Sequence, residues 1–197
     1  YGNSPANALA NVWINEVNYD SPGDPDSEEF IEICGAAATD ITGWKIELWN
    51  GSPFGLSNYY THVIGSVAAT NFTLQNEADG FGFYTVRTSN STVPADEDML
   101  WSSIENGAPD AIRLTDGAGN MKHFLEYEAS SASVYPGIGT PDDLCTIDDI
   151  GGLSNLSISS VGTGPSRLDF TWALTNNTPN GVNLGQAVPE PFSACLG

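Results

Sequence analysis

The densest group of chemistry-capable side chains lies between Tyr19 and Phe30, where Asp20, Asp24, Asp26, Glu28 and Glu29 crowd into one short stretch. Hard carboxylate oxygens at this density suit calcium, which takes about six to eight oxygen ligands. The run is not an EF-hand loop, because Pro22 and Pro25 interrupt it and the glycine and glutamate positions do not fit. Calcium is therefore the one cofactor to expect, against the plainer reading of a solvated acidic turn. Asp96, Glu97 and Asp98, or Asp142, Asp143, Asp148 and Asp149, are lesser candidates of the same kind.

Two further glutamates sit inside apolar alternations. Glu16 falls two residues after Ile14 in VWINEVN, and Glu32 falls between Phe30 and Cys34 in EEFIEIC. Simple alternation puts Glu16 on the same face as Val12 and Ile14. A carboxylate so placed needs hydrogen bonds or a cation, or it takes up a proton. A close pair could hold a metal or work as acid and base, but a structural role is the expectation. Nucleophilic catalysis has little to draw on. There are two histidines, His62 and His123, and neither a G-x-S-x-G elbow nor an H-E-x-x-H pair. No catalytic residue is assigned and the chain is expected not to be an enzyme. Of the three cysteines, Cys34 and Cys145 are the expected disulfide because both lie inside the folded region. Cys195 is then left free or intermolecular.

The elements that must position these groups are strands. Alternation with β-branched and aromatic residues marks 12–18, 28–34, 43–49, 60–66, 81–87, 156–160 and 167–172. The best hairpin joins 110–116 to 120–128 through Gly117-Ala118-Gly119. No amphipathic helix is evident. Eight to ten short strands split by Gly, Pro, Asn and Asp turns predict an all-β sandwich. The long connections 88–109 and 129–152 are where binding would normally sit. Trp13, Trp44, Trp49, Trp101 and Trp172, with Tyr59 and Tyr60, could build a sugar-stacking face, although core is the default for such residues; Trp44 reads as core, and Trp49, Tyr59 and Tyr60 are the better surface candidates.

The 197 residues suit one domain, and the charge is lopsided: 25 acids against five cations give a net charge of −20. Such a chain repels phosphate backbones and anionic lipid, so nucleic acid is excluded as a partner. No run approaches the ~18 apolar residues of a membrane span. Sequons occur at Asn50, Asn71, Asn90, Asn155 and Asn176; the last four are carried as candidate glycosylation sites.

Five segments in order resemble the lamin-tail domain of secreted bacterial proteins. They are INEVNYD at 14–20, EEFIEI at 28–33, DITGWKIELWNG at 40–51, NGAPDAIRLTDGAGNMKHFLEYE at 106–128 and DFTWALTNNTPNGVNLGQ at 169–186. The resemblance implies an immunoglobulin-like β-sandwich over 12–186, with an N-terminal arm at 1–11 and a tail at 187–197. It also implies a non-enzymatic interaction module, at times attached to an exoenzyme. Pro189 and Pro191, followed by FSACLG, resemble the start of a PEP-CTERM sorting tail, which implies export to the cell surface. The expected function is a secreted or cell-surface structural or adhesive module. It would self-assemble through its arms, with Cys195, Pro189 and Pro191 in assembly or anchoring. Its partners would be further copies or another matrix protein. The alternatives are a calcium-dependent carbohydrate-binding module, with polysaccharide as partner, and an accessory domain of an extracellular hydrolase.

Overall fold

A computed structural model describes residues 12–23, 26–51, 55–67, 71–147 and 155–188. Twelve strands occur in it: β1 (Trp13–Asn18), β2 (Phe30–Ala36), β3 (Lys45–Asn50), β4 (Ser57–Val63), β5 (Phe81–Arg87), β6 (Glu97–Asp98), β7 (Asp110–Thr115), β8 (Met121–Tyr127), β9 (Asp143–Cys145), β10 (Leu156–Thr163), β11 (Phe170–Asn176) and β12 (Gln186–Ala187). Among the described residues there is no α-helix, only a 3-10 turn at Arg167–Asp169. That turn delays the last long strand beyond the expected 167–172. The turn closes on itself, Ser166 N–H donating to Asp169 Oδ2 at 2.9 Å.

The strands form two mixed sheets. One runs β11-β10-β1-β2-β5-β6, with β12 added in parallel on β10. The other runs β4-β3-β7-β8-β9. The main core lies between them, built by Ile14, Val17, Ile31, Ile33 and Tyr84 from the first and Ile46, Leu48, Ile112, Leu114 and Leu125 from the second. Burying each such side chain contributes on the order of 2 kcal/mol. Two smaller clusters cover outer faces: Trp13, Cys34, Phe81, Phe83, Phe170 and Val188 on the first sheet, and Ala111, Phe124 and Tyr135 on the second.

Two details of register decide which side chains reach each face of the first sheet. The β1–β2 pairing slips between Ile14 and Glu16, and Glu16 pairs with Glu32. This bulge at Asn15 rephases the strand, so Ile14 and Val17 both reach the inner core. Glu16 therefore leaves the face of Ile14, correcting the simple alternation, and shares the outer face with Glu32 and Cys34. The β1–β10 ladder begins only at Glu16. Above it, Ile14 N–H turns to the other sheet and donates to His123 Nδ1 at 3.0 Å.

The expected Cys34–Cys145 disulfide is not formed; both thiols are free and buried. Cys34 lies in the outer aromatic cluster and Cys145 in the core between the sheets, so a sheet separates their surroundings. Residues 1–11 and 189–197, with Pro189, Pro191 and Cys195, lie outside the described residues, as do Asp24, Asp148 and Asp149.

Candidate functional site

The outer face of the first sheet carries a buried polar network. Its lid is the segment 177–186, which returns across β1, β2 and β10. Glu16 Oε1 accepts from the Ser157 and Ser159 hydroxyls and from Thr178 N–H at 2.9 Å, while Oε2 accepts from Thr178 Oγ1 at 2.9 Å. Glu32 Oε1 accepts from Asn15 Nδ2 at 2.8 Å. Its Oε2 accepts from Thr85 Oγ1 at 3.1 Å, Asn180 N–H at 2.6 Å and Gly181 N–H at 3.3 Å. Asn183 Nδ2 binds the Asn15 and Ser160 carbonyls, and Gln186 Nε2 binds Asn15 Oδ1 at 2.6 Å. Burial raises both carboxyls above the ordinary range; for Glu32 the neighbouring Glu16 charge adds to this, and the donors pull both back. Donors surround every oxygen, which is the coordination of an anchored carboxylate rather than of a cation ligand.

Both histidines are similarly engaged. His123 Nδ1 accepts from Ile14, so its proton sits on Nε2 and points to Asp143 Oδ2 at 3.1 Å. Burial, then the Arg167 charge, pushes this imidazole down to about 3. Asp143 Oδ2 also pairs with Arg167 and accepts from Trp172 Nε1 at 2.9 Å, and Arg167 lies over the Trp172 ring. Shallow clefts of about 220 and 260 Å³ border this group. His62 Nε2 faces Glu97 Oε2 at 3.1 Å, and the same oxygen accepts from Tyr84 OH and Gly65 N–H. Burial lowers the His62 pKa despite Glu97. A cleft of about 290 Å³ includes Glu77 and Asp96 in its lining, and each of these acids binds a β5 backbone N–H. Burial pushes the Cys34 thiol well up and Cys145 to about 11, so neither supplies a thiolate near neutrality.

The acidic loop is tied down by its own backbone. Ser21 Oγ accepts from Ser27 and Glu28 N–H groups at 3.0 and 3.1 Å. Glu28 Oε2 accepts from Asn155 N–H at 2.8 Å, and Glu29 Oε1 from Ile104 N–H at 3.2 Å. Asp20 and Asp26 stay half-exposed. Among the described residues, no group of three or more His, Cys, Asp or Glu is arranged to hold a metal ion. Asn71, Asn155 and Asn176 are exposed, whereas Asn90 donates its side-chain amide to the Ser102 carbonyl at 3.1 Å.

Of the aromatic set, Tyr59, Tyr60 and Trp101 come together, and the better candidate Trp49 does not join them. Trp44 is core and Trp49 is half-buried against Tyr135. Tyr59 and Tyr60 on β4 instead carry Trp101, which stacks on Tyr60 with centroids 5.7 Å apart. Trp101 is 40% exposed and Leu100 beside it 77%. Hydrogen bonds fix this corner: Leu100 N–H to Tyr60 OH at 2.9 Å, Glu105 N–H to Tyr59 OH at 3.0 Å, and Ser89 N–H to the Trp101 carbonyl at 2.8 Å. The signal for Trp101 was present: an apolar pair, Leu100-Trp101, within a connection rich in polar residues. The lid and the Asp143–Arg167 pair carried no such signal. In comparisons with known protein families and with curated proteins, the chain matches none.

Proposed function

We propose that this chain is a non-enzymatic interaction module, structural or adhesive, of the secreted or cell-surface kind, on an immunoglobulin-like sandwich similar to the lamin-tail domain. One observation carries the reading. Of the groups able to do acid–base chemistry, Glu16, Glu32, His62 and His123 are engaged in bonds that hold sheet to lid or sheet to sheet, while Glu29 and Asp110 are buried at strand ends, each held by one backbone N–H. A module of this kind works through its surface. The test presents the immobilised chain to matrix polysaccharides, to itself and to a panel of hydrolase substrates. Adhesion without turnover is expected. Turnover that disappears in His123→Asn or Glu32→Gln, with the melting temperature kept, would end the proposal.

A second reading, a carbohydrate-binding module, is favoured by Trp101. Its ring is anchored on one side by Tyr60 and is partly open to solvent, the arrangement that stacks on a pyranose. Trp101→Ala should then abolish polysaccharide binding. If calcium takes part through the Asp20–Glu29 loop, chelation should abolish it too.

A further inference from the structure

Each sheet has two edges, and three of the four carry protection against pairing with another chain. The β6 edge is two residues long and acidic, Glu97-Asp98. The β9 edge is three residues long and begins at Asp143, after Asp142. The β4 edge is broken by a bulge opposite Leu48 and Trp49, and the Asn58 amide donates to the Leu48 and Tyr60 carbonyls. Short strands, charges and bulges are the devices that keep open edges apart.

Among the described residues the β11 strand itself has none of them; the Arg167 guanidinium meets it at its start, donating to the Phe170 carbonyl at 2.7 Å and lying over the Trp172 ring. Its seven residues, FTWALTN, pair with β10 from Leu156↔Asn176 to Gly162↔Phe170 without a slip. Neither β11 nor the eight-residue β10 contains a charge or a proline. In a chain of net charge −20, this is a neutral approach for a second copy, whose carboxylates repel elsewhere. The core is also open along it. Trp172 and Leu174 stay half-buried, and a cleft of about 260 Å³ runs past Cys145, Ile147 and Trp172.

The sequence is self-complementary. With Ala173 opposite its own mate in an antiparallel pair, Thr171 meets Thr175 and Trp172 meets Leu174, both favourable cross-strand pairs. We propose that two copies of this chain join edge to edge through β11, antiparallel about Ala173, extending the first sheet into one continuous two-fold sheet. The proposal rests on the reading of the chain as a structural module and names its partner surface.

The experiment uses the full chain carrying Cys195→Ser. Sedimentation across a concentration series should show a monomer–dimer equilibrium. Ala173→Lys, which sets like charges against each other across the two-fold, should weaken it at least about tenfold with the melting temperature kept. Ala173→Cys should oxidise to a covalent dimer, while Lys45→Cys, exposed on the other sheet, should not; this readout needs no disruptive change. A chain monomeric throughout, a dimer indifferent to Ala173→Lys, or equal cross-linking at 45 and 173 overturns the proposal. A monomer that still adheres rejects the β11 contact and leaves the module reading intact. Substrate turnover rejects that reading whatever the assembly.

Discussion

Two pairs of buried acids meet opposite circumstances. Glu16 and Glu32 lie on the outer face of the first sheet, with hydrogen-bond donors at every oxygen. Glu29 and Asp110 lie at strand ends and have one backbone donor each, Ile104 and Gly51. Glu29 Oε2 and Asp110 Oδ2 are buried without a hydrogen-bond partner among the described residues. A buried carboxyl with donors becomes a fixture of the fold, because removing it strands those donors. A buried carboxyl without them becomes a proton holder. Burial raises all four, but the first pair acts on the fold chiefly through its bonds and the second chiefly through its proton.

The largest expected effect breaks the first pair. Glu32→Ala leaves the Gly181 N–H and the Thr85 hydroxyl without their acceptor and takes one of two from the Asn180 N–H and the Asn15 amide, and should cost about 3 kcal/mol in urea unfolding. A loss below about 1 kcal/mol would mean that the lid does not depend on this carboxyl. Thr178→Val removes one donor from Glu16 while leaving the backbone N–H, so about 1–2 kcal/mol is expected.

The second pair is sharpened by titration. Burial, then the charges of Asp26 and Asp20, raises Glu29 to about 8; burial, then Glu128 and Glu105, raises Asp110 to about 7. In the unfolded chain both return to about 4. Between about pH 4 and each raised value, the native state keeps a proton that the unfolded chain has released. The contribution of these two carboxyls to stability should therefore fall as pH rises through that window and level off above about pH 8, while the two histidines, held neutral by burial, act in the opposite sense on the acid side. Glu29→Gln should flatten the slope of melting temperature against pH; an unchanged slope would remove Glu29 as a cause. The smallest effect is expected at the surface: Trp101→Ala should change stability by less than about 1 kcal/mol. A larger loss would make Trp101 a packing residue rather than a contact.

Much of the framework was legible. The runs at 12–18, 28–34, 43–49 and 81–87 and the 110–128 hairpin are strands as their alternation requires. Asp116 closes the hairpin turn by accepting from the Ala118 and Asn120 N–H groups at 3.0 and 2.9 Å. The short parallel additions β6, β9 and β12 were not legible, since two or three residues carry no period. The bulge at Asn15 left only a faint trace, the three-residue spacing of Ile14 and Val17. The disulfide expectation failed because inclusion within the folded region says nothing about which side of a sheet a thiol faces.

By itself, the sequence determined an all-β chain, strongly acidic, with apolar alternations and polar, turn-rich connections, because period and composition are local properties of the chain. Only the tertiary structure decided that Glu16 turns outward to Glu32, that residues 177–186 cover both, that Trp101 stays exposed on Tyr60, and that β11, a strand without a charged residue, ends its sheet among the described residues. Each of these depends on which strand lies beside which, and pairing partners more than a hundred residues apart, such as Glu16 and Ser159, leave no local mark.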